Sequence, residues 1–477
     1  MPAISVWPAA VRHRLRWLSF KPFDERTPEG RSNERHRRIA LSAASSALSK
    51  VLGMVAALVS IPLALGYLGD ERFGIWSTLS SLMVALQFAD LGIGNGIINR
   101  VAEAHGRGDR AAIRGYLSSG LLALLAIAAV LGLLLPVVVL LVPWAQVFRL
   151  SDAVAVDEVR PAVAAFMACI ALAIPLGVVQ RVQIGLQRGF VANLWQCASN
   201  VLSLLAIWAA THLQLGLPWL VLALLAAPLL TALGNGLLFF SVVERDLRPG
   251  LASVAAPAIR KLLSTGGAFL VLQVAIAVLI HSDSIIIASA LGAAEVAAYA
   301  VPEKLFSIVS LLLATVLIPL WPAYGEAIAR HDMAWVTRTL RRSLSMAVGL
   351  SVLASSLLVA AGPFLIDLWV GGAVQPSMPL LLVLAVWKVL ESAGLALAMF
   401  LNGAGLIRLQ VYSACLMAAA ALVAKPWLVR EIGIVGAPLA TAVIYLMLTL
   451  LPFSLMLPGL VRKLRQQPTP QGQGLTP

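Results

Sequence analysis

Three lysines, Lys50, Lys304 and Lys388, each fall roughly nine to ten residues into a long apolar run. If the runs are helices rising about 1.5 Å per residue, each charge sits about 14–15 Å below a membrane surface. An ammonium there costs at least about 2.5–3.5 kcal/mol unless it faces water, a partner or a ligand. Three such charges point to a cationic cavity, and its natural guest is an anion. Each lysine also has a plainer reading. Lys50 could serve a structural ion pair or a neighbouring helix's carbonyl. Lys304 follows Glu303, and helix neighbours in sequence point about 100° apart, so these two do not pair. One would face the cavity and the other a partner helix. Lys388 and Glu391 are three apart on one helical face and could neutralise each other.

Other polar groups in the apolar runs have similar alternatives. Asp90 precedes Leu91-Gly92-Ile93-Gly94, where glycines allow close helix approach. It is expected to cap a helix or gate against Arg100 or Arg181. Asp283, with His281 and Ser284, could bind a coupling proton or cation or close an outer gate. Arg181 lies between Gln180 and Gln183. It is expected to snorkel to the interface or admit a lipid headgroup. Asn193, Gln196 and Asn200 share a helical face, where amides can meet sugar hydroxyls or join transmembrane helices. Glu103/Arg107 and Glu326/Arg330, each spaced i, i+4, read as structural pairs at helix ends.

The elements that carry these residues belong to a membrane protein. The chain of 477 residues is 60% hydrophobic and 12% charged, where soluble domains carry about 25% charged residues. Apolar runs predict twelve spans, near 40–66, 73–98, 117–142, 161–185, 193–212, 217–242, 264–289, 295–321, 344–368, 379–401, 409–429 and 433–457. An even number puts both termini on one side. With that side cytoplasmic, 26 lysines and arginines face inward and 5 face outward, the latter being Arg72, Arg149, Arg160, Lys425 and Arg430. The positive-inside rule therefore sets the orientation.

The net charge of +13 lies in short loops and the N-terminal tail, which argues against nucleic acid. Short loops leave no room for a folded catalytic domain, and there is no phosphate-binding loop of the Walker A or GxGxxG kind. Cys169, Cys197 and Cys415 lack paired spacing, so neither metal nor disulfide is assigned, and no cofactor is expected. Residues 1–38 are basic without an apolar core of their own, unlike a cleavable signal. Val11, Leu15 and Leu18 share a face among Arg12, Arg14 and Arg16. They fit either a helix lying on the inner leaflet or a disordered tail.

The chain repeats itself. Leu68-Gly69-x-x-x-Phe73-Gly74-x-Trp76 parallels Leu291-Gly292-x-x-x-Val296-Ala297-x-Tyr299, and Glu103-Ala104-x-x-Arg107-x-Asp109 parallels Glu326-Ala327-x-x-Arg330-x-Asp332. Both pairs are 223 positions apart. A vaguer echo links Leu186-Gln187 with Leu401-Asn402. Two six-helix repeats of the same orientation predict lobes related by an axis along the membrane normal, with a midplane site.

The first copy carries a resemblance. Tyr67-Leu68-Gly69-Asp70-Glu71-Arg72-Phe73-Gly74-Ile75-Trp76, Ala89-Asp90-Leu91-Gly92-Ile93-Gly94 and Gly106-Arg107-Gly108-Asp109 resemble the opening of Wzx-type polysaccharide and O-antigen lipid flippases. These belong to the multidrug/oligosaccharidyl-lipid/polysaccharide exporter superfamily, and the resemblance covers about residues 40–460. It implies an all-α integral membrane protein, two-lobed and V-shaped, with about twelve transmembrane helices and pseudo-twofold symmetry. The expected boundaries are a basic extension at 1–38, a lobe at 39–242, a linker at 243–263, a lobe at 264–457 and a tail at 458–477.

The implied substrate is a polyprenyl-pyrophosphate-linked glycan, moved across a bacterial inner membrane by alternating access, without catalysis. Membrane lipids, a polysaccharide polymerase and glycosyltransferases are the expected partners. Lys50, Lys304 and Lys388 would then hold the anionic headgroup. Asp90, Asp283, Glu303, Glu391 and Arg181 would couple or gate. The rivals are a cation-coupled multidrug exporter of the same superfamily, a flippase for the peptidoglycan precursor, and a membrane glycan polymerase or glycosyltransferase.

Overall fold

The structure is a computed structural model that describes residues 21–466, apart from 25, 84–85, 149, 151 and 371–374. The Val11–Leu18 segment, Arg149 and the end of the C-terminal tail lie outside the described residues, as does the side chain of His281. Among the described residues the chain is helical throughout, without a strand. It forms two compact units, Met1–Gly267 and Ala268–Pro477.

The first unit comprises α1 (Pro28–Leu82, two helical stretches joined at a kink where Gly69 leaves helical geometry), α2 (Ile93–Gly106), α3 (Arg110–Leu141), α4 (Ala153–Leu176), α5 (Val178–Gly185), α6 (Gly189–His212) and α7 (Leu217–Leu238). The helix α8 (Ala256–Leu291) runs from the first unit into the second. Then follow α9 (Ala293–Leu317), α10 (Leu320–Ala329), α11 (Met333–Val370), α12 (Met378–Gly403), α13 (Ile407–Ile432), α14 (Gly436–Tyr445) and α15 (Leu451–Gln466).

Ten described segments are long and apolar enough to cross a membrane. The sequence predicts twelve, and two local features account for the difference. Among the described residues the run at 73–98 is not one continuous helix: α1 stops at Leu82 and the run resumes as α2 at Ile93, after Leu91 and Gly92 take φ of 51° and 76°. The last two runs lie in one continuous segment, Ile407–Gln466. A π-helical turn at Leu446–Leu450 joins α14 to α15, and another at Phe239–Val243 extends α7.

The duplication is written in the backbone of the two units. Left-handed residues recur in matched places: Gly69 with Gly292, Gly108 with His331, Gln187 with Gly405, and Gln214 with Gly433. The first two pairs keep the spacing of 223, and the last two fall to 218 and 219. The second copy is therefore shorter by four or five residues. Asp109 caps α3 through the Ala112 amide, and Asp332 caps α11 through the Trp335 amide.

One close crossing is repeated as well. A Cβ on Gly185 would meet Val101 Cβ at 2.9 Å and Ile98 O at 3.0 Å. A Cβ on Gly403 would meet Tyr324 Cβ at 2.6 Å and Trp321 O at 2.8 Å. Small residues let helix backbones approach in this way where lipid supplies no hydrophobic drive. The match of Gly185–Gln187 to Gly403–Gly405 corrects the expected echo of Leu186-Gln187 in Leu401-Asn402, which is out of register by three.

The connection between α7 and α8 falls largely within the expected linker 243–263, in which α8 starts at Ala256. It is tied to α3. Arg110 bonds Asp246 and Glu244, Arg114 bonds the Arg248 carbonyl, and Ser118 and Ser119 accept from Gly250 and Ala255. Glu244 also pairs with Arg188 at 2.7 Å. Three apolar cores hold the helices, and the second includes Leu247 of this connection. One gathers Trp76, Phe166, Ile207 and Leu220, and the next gathers Ile97, Leu117, Val182 and Phe239. The second unit packs Phe306, Leu380, Leu384 and Val429.

Candidate functional site

In the second unit, α12 carries Lys388 and Glu391 one turn apart. Lys388 Nζ donates to Glu391 Oε2 at 2.9 Å and to Ser310 Oγ of α9 at 3.1 Å, and Ser310 donates to the same carboxylate oxygen at 2.8 Å. Lys388 is buried, whereas a quarter of the Glu391 side chain is exposed. Helical spacing puts these two on one face, so the pair forms within the helix.

That exposed part of Glu391 faces a cavity of about 190 Å³. Ser310, Trp387, Gln410, Ser413 and Tyr445 contribute to its wall, among apolar side chains. Trp387 and Tyr445 meet edge to face with centroids 5.3 Å apart. Gln410 donates to Asn402 at 2.8 Å, and Ser413 meets Thr449 at 2.7 Å. The lining therefore carries the carboxylate, with the Lys388 ammonium behind it. Hydroxyls, an amide and aromatic rings are groups that can meet a sugar or an apolar cation.

A second cluster lies on α8, α9 and α13. Lys425 is fully buried, and its ammonium pairs with Asp283 and with the Leu279 carbonyl. Tyr299 donates to the other Asp283 oxygen at 2.6 Å. The expectation had placed Lys425 among the outward-facing charges. The structure places it inside α13, where it serves a buried acid. Removing it from the outer count leaves the inward bias intact. Glu303, half-buried on α9, is within electrostatic reach of Lys388, Glu391, Asp283 and Lys304. Lys304 itself is exposed on α9.

The first unit holds Lys50, half-buried on α1. Beside it, Asn200 of α6 donates to the Ser49 carbonyl at 2.8 Å, and Asn193 donates to Ser42 O and Ser45 Oγ at 3.0 and 3.1 Å. These amides join α6 to α1. Asp90 accepts from the Gly92 and Gly94 amides at 2.8 and 3.2 Å and lies 3.6 Å from Arg181 of α5. Its carboxylate thus covers the orphan amides that open α2. Gln183 and Asn235 exchange two buried hydrogen bonds at 2.7 and 3.0 Å. Glu103–Arg107 and Glu326–Arg330 pair at 2.6 and 2.9 Å.

Sequence reasoning missed Lys425, Tyr299 and Ser310 as partners of the buried charges. A signal existed for Lys425, which falls inside the apolar run 409–429 and before Pro426. An ionisable residue within such a run marks a site by default. Among the described residues no group of three or more His, Cys, Asp or Glu could hold a metal ion.

Comparison with known proteins adds to this geometry. A family model described as "Polysaccharide biosynthesis protein" matches residues 40–326. A "Putative O-antigen transporter" of Salmonella typhi is 27% identical over 310 residues, 62% of this chain and 67% of that protein. A transporter of the MOP superfamily from Pyrococcus furiosus shares the fold, with a TM-score of 0.75 over 90% of this chain and 97% of that one, at 13% identity. An outward-facing multidrug resistance MATE family transporter gives 0.76 over the same shares, also at 13% identity.

Proposed function

The chain belongs to the polysaccharide biosynthesis protein family, and from that premise we propose that it moves a polyprenyl-pyrophosphate-linked oligosaccharide from the cytoplasmic to the outer leaflet of a bacterial inner membrane. The observation that carries this reading is the Lys388–Ser310–Glu391 cluster at mid-helix depth beside a largely apolar cavity whose wall also presents aromatic, hydroxyl and amide groups. A charge kept inside an apolar helix pays its desolvation cost only where it serves a partner or a passing ligand. Lys388 gives an arriving phosphate an ammonium, and Glu391 holds that ammonium until the phosphate comes. Lys50 and Lys304 are the further headgroup contacts. Asp90 with Arg181 gates the cytoplasmic end of the first unit, and Asp283 with Glu303 couples or gates in the second.

The motion is alternating access, which makes and breaks no covalent bond. Both termini lie in the cytoplasm, following the distribution of lysine and arginine. Glycosyltransferases supply the substrate and a polymerase consumes the product. A membrane potential of 100 mV supplies about 2.3 kcal/mol per charge moved. Export of organic cations is the second reading, and one observation favours it, the Glu391 carboxylate in the cavity wall.

The test is translocation of a fluorescent polyprenyl-pyrophosphate oligosaccharide in proteoliposomes. The parent should flip it, and folded Lys388→Met, Lys304→Met and Lys50→Met variants should flip it markedly more slowly. A parent that moves no glycan lipid but exports an organic cation in a Glu391-dependent way would establish the second reading.

A further inference from the structure

A groove of about 660 Å³ lies in the second unit, between the first turns of α11 and the last turns of α15. Leu340, Leu344 and Val348 form one wall, and Leu457, Pro458 and Val461 form the other. Arg341 lines it too. Four passes separate the start of α11 from the end of α15, counting both. An even number returns the chain to its starting side, so both ends lie at the same membrane surface.

That end is strongly basic. Arg338, Arg341 and Arg342 open α11, Arg462, Lys463 and Arg465 close α15, and all six are exposed. Neither 333–348 nor 451–466 contains an aspartate or glutamate. Arg341 stands three positions before Leu344 and lines the groove itself, and Arg338 stands one turn before Arg341 at the groove's edge. Arg465 stands four after Val461, on the groove's side of α15. An apolar slot thus runs down the helices from a rim of cations.

We propose that this groove is a binding site for an anionic glycerophospholipid of the adjoining leaflet. Acyl chains lie against the leucines and valines, and the phosphate meets Arg338, Arg341 and Arg465. Charge complementarity picks the headgroup, since basic pockets between membrane helices hold anionic lipid heads. Depth distinguishes this site from the transport cluster. The arginines stand at helix ends, where a resident lipid keeps its phosphate, whereas Lys388 lies mid-helix. The inference rests on the membrane fold and not on which glycan is moved.

The test uses the purified full-length chain in detergent, with dioleoylphosphatidylglycerol or dioleoylphosphatidylcholine added and retained lipid read by native mass spectrometry. The parent should retain phosphatidylglycerol in preference. The double variant Arg338→Gln/Arg341→Gln should lose that preference by about tenfold. Val348→Trp, which fills the slot and leaves every charge, should lower retention as well. These side chains are exposed or line the groove, so unliganded melting should match the parent. If one variant melts early, the other decides. Equal retention of the two lipids by the parent overturns the proposal, and so does unchanged preference in the folded variants. Displacement of phosphatidylglycerol by undecaprenyl phosphate at lower concentration would assign the groove to the transported lipid and overturn it too. Transport is not read in this assay, so its outcome is independent of the flippase reading.

Discussion

Lys425 and Asp283 lie 142 positions apart in sequence and 2.5 Å apart in space, with side chains 0% and 8% exposed. Each is the other's reason for being tolerated in the interior. A buried pair gains little over apolar packing, but breaking it by removing one member leaves an uncompensated charge, at a cost of about 3–5 kcal/mol. Lys425→Met should therefore destabilise the second unit by about that amount. Adding Asp283→Asn should recover part of the loss, because Tyr299 can still donate to the amide oxygen. Unfolding midpoints of the single and double variants in detergent measure both. Equal loss in the two would mean that the charge is not what matters.

The Lys388 pair should behave differently. Charge-assisted hydrogen bonds contribute about 1.5–3 kcal/mol each. If the ammonium serves the transported phosphate, Lys388→Met should slow glycan-lipid flipping by roughly 10–100-fold. Lys388→Arg keeps the charge and should retain part of the rate. Glu391→Gln leaves the ammonium in place, so it should impair turnover less than Lys388→Met. Initial rates in proteoliposomes at matched protein density rank the three.

The repeated helix crossing gives a stability prediction with a built-in control. Gly403→Ala and Gly185→Ala place a methyl against backbone atoms of α10 and α2 respectively, at 2.8 and 3.0 Å. Backbone cannot swing aside, and overpacking of this kind costs about 1–3 kcal/mol. Gly349, on α11, has nothing within 4 Å of a built Cβ. There alanine should be neutral or stabilising by about 0.4–1 kcal/mol. Thermal melting of the three variants checks the ranking.

A pH dependence follows from the connection between α7 and α8. Partial burial pushes the Asp246 carboxyl up, but Arg110 outweighs it with two hydrogen bonds at 2.8 Å and its charge, with Arg114 adding to the field. The carboxyl is held below its ordinary value. A depressed carboxylate contributes stability that is present above its unfolded pKa and lost as pH falls through the folded one. The parent should therefore lose melting temperature more steeply than Asp246→Asn as pH falls below the ordinary aspartate range of about 3.9. The two should run parallel above about pH 5. Parallel curves at low pH as well would show that the Arg110–Asp246 contact contributes nothing to folding.

The chain's own order of residues determined the membrane class, the helical content, the duplication and the intrahelical pairs. Long apolar runs cannot be dissolved, and their length sets a helix. The spacings Glu103/Arg107, Glu326/Arg330 and Lys388/Glu391 meet because 3.6 residues make a turn wherever the helix sits. For Asp90 the sequence offered a helix cap or a contact with Arg100 or Arg181, and the structure shows the cap together with Arg181, while Arg100 pairs with Glu103. The transmembrane amides Asn193 and Asn200 followed the same logic, as polar groups that lipid cannot satisfy.

Only the tertiary structure decided what crosses between helices. How each helix is rotated depends on packing of whole faces, and no local spacing reports it. That rotation turned Lys425 inward to Asp283, set Tyr299 on the same carboxylate, and brought Ser310 to Lys388. It turned Glu391 toward the cavity and left Lys304 exposed on α9. The matched left-handed turns of the backbone also revealed that the second copy is four or five residues shorter after its first two helices. A repeat read by fixed spacing therefore loses its match at Gly185 and Gly403, where the backbones touch.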